Sequence, residues 1–139
     1  MEDNYQRSAI NNIKLGDTRT YTKHVTAADF ARFDDGLVHA VCSTFSLAQA
    51  AEWAGRLFVL DMKAEDEEGV GTSLIINHKS PAFEGDDVVI VATLEKYEGN
   101  NVICSFTAKV GERLVADGET GQKILKKEKL AKILAPKKV

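Results

Sequence analysis

The chain has 139 residues, 44% of them hydrophobic and 28% charged, with only two prolines. That suits one domain with a real core and excludes a disordered or collagen-like chain. Eighteen Lys and Arg against 21 Asp and Glu give a net charge of −3, which argues against a general nucleic-acid binder, since such proteins usually carry a basic excess.

The opening MEDNYQRSAINN is polar, so no signal peptide is expected, and residues 1–18 are expected to run along the surface. Residues 20–26 (TYTKHVT) are rich in β-branched and aromatic side chains and predict a first strand. Residues 27–41 show no clear period; Ala28 to Phe33 fits one helical turn ended by Asp34-Asp35-Gly36. The composition predicts a helix over residues 44–62, with Ser43, Thr44 or Ser46 as N-cap and a capping box at Ser46-Leu47-Ala48-Gln49. Apolar residues lie almost all round this helix, so it is expected to be buried on most sides. Gln49, Glu52, Arg56 and Asp61 interrupt it and make it a poor membrane span.

The acidic run over residues 64–69 reads as a solvated turn, and then the period switches to two. Residues 71–78, 87–96, 101–110 and 114–125 are expected strands, with turns at Glu98-Gly99-Asn100 and Gly111-Glu112. Residues 126–134 predict a short terminal helix. The stretch 126–139 holds six lysines and one glutamate, a solvated tail or a contact for nucleotide phosphates. A strand, a buried helix and a run of antiparallel strands make an α+β domain whose sheet curls around one helix, the hot-dog fold. So small a sheet usually needs a partner over its open edge, so a homodimer at least is expected. Cys42 and Cys104 form no disulfide framework and no CxxC pair, and the three histidines lack zinc spacing. A cytoplasmic setting, without membrane or metal, is the default expectation.

Three side chains are candidates for chemistry. Glu52 is a carboxylate in an apolar helix; it either pairs with Arg56 at i+4 or lines a pocket as base or nucleophile. His78 ends an expected strand, at a rim that a ligand can reach. Thr44 lies at the helix start and is either its N-cap or a hydroxyl beside an anion-stabilising terminus. Gly71, at the start of the strand that ends in His78, serves a turn or lets a ligand approach the backbone.

These residues resemble the fluoroacetyl-CoA thioesterase family of hot-dog proteins, over roughly residues 41–134. The resemblance rests on Ser43-Thr44-Phe45 with Glu52-Trp53-Ala54 eight residues after the threonine, on Val70-Gly71-Thr72 with His78 seven after the glycine, and on a hairpin turning at Gly99 followed by Asp117-Gly118-Glu119. It implies hydrolysis of a small or short-chain acyl-CoA by Thr44, Glu52 and His78, with coenzyme A entering as part of the substrate and no metal. Glu52 would activate water or attack the thioester, Thr44 would bond an acyl oxygen, and His78 would polarise the carbonyl or assist the thiolate. Gly71 would lie against the thioester. The family's last strand usually reads Gly-Thr-His-Glu-Arg, and here Gln122 stands at the arginine's place. The three groups are expected to converge on one cleft between helix and strand, at the interface of a homodimer, with pairing into tetramers left open. A non-catalytic acyl-CoA-binding protein and an enoyl-CoA hydratase on the same fold are the alternatives.

Overall fold

The computed structural model describes residues 12–136. Seven strands and two helices follow in the order β1 (Thr18–His24), β2 (Phe30–Phe33), β3 (Gly36–Cys42), α1 (Thr44–Met62), β4 (Glu67–His78), β5 (Asp87–Glu98), β6 (Asn101–Val110), β7 (Arg113–Lys126) and α2 (Lys127–Leu134). Five strands form one antiparallel sheet in the order β1-β5-β6-β7-β4, with β1 and β4 at its edges. Helix α1 packs across one face. Strands β2 and β3 form a separate hairpin. This is the α+β hot-dog architecture expected from the pattern. Among the described residues no helix is long and apolar enough to cross a membrane.

The core lies between α1 and the sheet. Leu47, Ala51, Ala54 and Phe58 are buried from the helix, and Val88, Ile90, Leu94, Val102 and Phe106 from the strands. Small residues on the helix's inner side bring it close to β7: a Cβ added at Gly55 would run into the Thr120 hydroxyl. The outer side is open, contrary to the expectation of near-complete burial. Phe45 is 79% exposed, Trp53 41% and Leu60 39%. A sheet covers only one side of a helix, so an all-round apolar composition marks a second surface left for something else.

Three more local expectations are corrected. Residues 27–41 are a short 3-10 turn at Ala27–Asp29 followed by the β2–β3 hairpin. Asp34-Asp35-Gly36 is that hairpin's turn, with Gly36 at φ 109°, a conformation that favours glycine. The acidic run is only briefly a turn: β4 begins at Glu67, whose buried carboxylate accepts the Ala64 N–H at 2.9 Å. Ile13 is 5% exposed, so the start of the chain is not surface throughout; residues 1–11, and Lys137 and Lys138 of the basic tail, lie outside the described residues. Helix α2 forms as expected but has no buried residue.

Candidate active site

Ser43, not Thr44 or Ser46, caps helix α1: its side chain accepts the Ser46 N–H at 3.0 Å. The cap position frees the next hydroxyl. Thr44 Oγ1 is instead hydrogen-bonded to His78 Nδ1 at 2.9 Å, across 34 residues of sequence. His78 Nε2 is shut off from solvent with no partner among the described residues. The pair sits where the positive end of the helix dipole emerges.

The hairpin is tied to this helix end through Asp29, whose carbonyl accepts the Ser43 N–H at 2.7 Å. Burial pushes the Asp29 carboxyl up. The Lys23 ammonium at 2.8 Å and the Thr26 N–H outweigh burial and hold it below the usual carboxylate range. Beside Thr44 the hairpin and helix enclose a hollow of about 790 Å³, lined by Phe30, Val38, His39, Phe45 and Gln49 among others.

Glu52 lies two turns further along. The ion pair with Arg56 is not made, because Arg56 reaches across to Glu68 Oε1 at 2.9 Å. The Gly69 N–H and that guanidinium hold the Glu68 carboxyl below its usual range. Glu52 has no ion pair among the described residues. Its carboxylate lies against Gly71, where an added Cβ would collide with Oε1. Gly71 pairs with Gln122 across β4 and β7, and Gln122 Nε2 donates to the main-chain carbonyl of Glu52 at 3.2 Å. Gln49, Glu52, Trp53, Arg56, Gly71 and Gln122 line a second hollow of about 310 Å³. The β4–β7 register shifts between Gly71 and Ser73, an irregularity of the kind that re-aims side chains beside active sites.

The five expected residues therefore form two groups in one chain: Thr44 with His78, and Glu52 with Gly71 and Gln122. Glu52 follows Thr44 by eight positions in the helix, about 12 Å of backbone at the helical rise. Among the described residues no hydrogen bond links Glu52 to Thr44 or His78, which bond each other. Gln49, which borders both hollows, is a site-lining residue the sequence reading passed over. Its signal was the shared helix face: Gln49, Glu52 and Arg56 follow at i, i+3 and i+7.

Neither cysteine is fitted to nucleophilic work. Burial pushes the Cys42 thiol up to about 11 and the Cys104 thiol to about 12, so neither is a thiolate at neutral pH. Among the described residues no group of three or more His, Cys, Asp or Glu is placed to hold a metal ion.

A family model of the fluoroacetyl-CoA-specific thioesterases (FlK) matches residues 25–128. The chain belongs to the fluoroacetyl-CoA-specific thioesterase family. The matched span contains both groups of site residues. A Thermus thermophilus hypothetical protein, TTHA0967, described as a thioesterase superfamily member, is 34% identical, with 87% of this chain and 90% of that one covered and a TM-score of 0.84. The fluoroacetyl-CoA thioesterase FlK itself is 20% identical, with 91% and 98% covered and a TM-score of 0.83. A hot-dog-like protein from Thermanaerovibrio acidaminovorans is 23% identical, with 88% and 90% covered and a TM-score of 0.80. No curated protein matches the chain in sequence.

The contact between Gly71 and Glu52 carries a prediction for this family member. Gly71→Ala should displace the Glu52 carboxylate and, if that carboxylate acts in thioester hydrolysis, lower turnover by about 10²-fold, as small misplacements of reacting groups do. Position 71 is exposed, so the melting temperature should hold. Turnover within twofold of wild type would show that the Gly71 contact does not place the carboxylate.

Proposed function

We propose that the chain is an acyl-CoA thioesterase for small or short-chain acyl groups, acting as a homodimer with a Thr44, Glu52, His78 site. The observation that supports this most is the free Glu52 carboxylate, unpaired among the described residues and facing a hollow beside Gly71. The i+4 arginine that could neutralise it bonds Glu68 instead.

The two-group arrangement favours a composite site. Strand β4 is an edge strand whose residues 71–75 are exposed on both faces, with Leu74 39% and Ile75 57% open. A long bare edge of this kind invites pairing. Two-fold pairing along it would set the start of one α1 beside the middle of the other, so that Thr44 and His78 meet the partner's Glu52.

In the reaction, Glu52 takes a proton from water as the water oxygen attacks the thioester carbon. The carbonyl electron pair moves onto oxygen, where the Thr44 hydroxyl and the helix terminus stabilise it. Return of that pair breaks the C–S bond. The departing thiolate takes up the proton, with His78 beside the leaving group, and the acid and coenzyme A are released. Direct attack by Glu52 with a mixed anhydride hydrolysed later uses the same carboxylate and the same oxyanion site.

The test is thiol release from a panel of acyl-CoA thioesters differing in chain length. Turnover of short acyl groups is expected. Binding of the panel without release would replace the enzyme with a binding protein, and loss of enoyl absorbance without thiol release would replace it with a hydratase.

A further inference from the structure

Gln49 occupies the junction of the molecule's open helix face. It follows Phe45 by four residues and precedes Glu52 by three, so its side chain neighbours both on the helix surface. It lines the hollow beside Thr44 and the hollow that holds Glu52. It also lines a third hollow, of about 230 Å³, with Tyr21, Lys23 and Trp53. Among the described residues no other borders all three. Its neighbours on the helix face are Phe45, Ser46, Glu52 and Trp53; Gln49 is a neutral amide, exposed, and without a hydrogen bond among the described residues. A surface glutamine on a helix needs no such place. One at the join of a Thr/His group and a carboxylate can donate to a carbonyl and accept from a water at once.

We infer that Gln49 is a substrate-contacting residue: its amide N–H holds the thioester carbonyl oxygen in line with Glu52, and so fixes which atom the nucleophile meets. This rests on the thioesterase reading above. It holds whether Thr44 comes from the same protomer or from its partner, because Gln49 borders the Glu52 group in every chain. The amide undergoes no bond change; it positions the carbonyl and strengthens its hydrogen bond as charge develops on oxygen.

Two ligands isolate that bond. One is a ketone analogue of acetyl-CoA in which a methylene replaces the sulfur and the carbonyl stays in place; the other is S-ethyl-CoA, which has no carbonyl. Trp53, the chain's single tryptophan, lines two of the three hollows with Gln49, so its fluorescence reads occupancy. Gln49→Ala should weaken the ketone analogue about tenfold, the worth of one hydrogen bond, and leave S-ethyl-CoA within twofold. Gln49→Met, equal in length but without the amide, should show the same difference, and thiol release from acetyl-CoA should fall in both variants. Equal losses for the two ligands, or no loss for either, would remove Gln49 from the carbonyl while leaving the enzyme reading in place. A wild-type protein that binds neither ligand would overturn the acyl-CoA reading and this assignment together.

Discussion

Glu52→Gln is expected to lower thioester hydrolysis by about 10³-fold or more, the range in which removal of a general base or nucleophile falls. The amide keeps the shape of the carboxylate, so the crowded contact with Gly71 survives. The hydrogen bond from Gln122 goes to the Glu52 main chain and is untouched. Helix α1 therefore keeps its seat on the sheet, and the variant should elute as the wild type does on size exclusion. Thiol release from the best acyl-CoA substrate measures the effect. An active Glu52→Gln variant would leave the hydroxyl and imidazole as bystanders to some other base and remove the carboxylate from the reaction.

The second large effect concerns which chains build the site. On the proposed homodimer, Glu52→Ala and His78→Ala proteins should each be inactive. A hybrid dimer, purified through two different tags, should recover about half of wild-type activity, because two-fold symmetry leaves one of its two composite sites whole. If all three groups worked within one chain, each protomer of the hybrid would be broken and activity would stay at background. The structure makes this a sharp test, since Thr44 and His78 touch while Glu52 stands about 12 Å along the helix.

The elements were largely legible because local signals agreed with the fold. Helix α1 has the bounds expected of a proline-free, alanine-rich run opened by a capping serine. Strand β6 fills the space between two glycine turns. The β2–β3 hairpin was not legible, since its four-residue strand is too short to show a period and its turn imitates a helix stop. For the candidate site the structure adds contacts that the sequence does not carry. Place on helix and strand, together with the family resemblance, singled out Thr44, Glu52, Gly71 and His78. It could not show that Arg56 turns to Glu68, that a register shift falls beside Gly71, or that Gln49 joins the two hollows, because each depends on a contact between distant segments. The apolar outer face of α1 was read as burial for the same reason: composition records that a surface is greasy, not which object covers it.

The buried thiols carry a practical corollary. With both sulfurs sealed in the core and held protonated well past neutrality, a disulfide-exchange dye has nothing to titrate on the folded polypeptide. Colour in such an assay would report liberated coenzyme alone. The same silence makes the native chain a clean background onto which a single engineered cysteine, set on the open side of the helix, could carry a label.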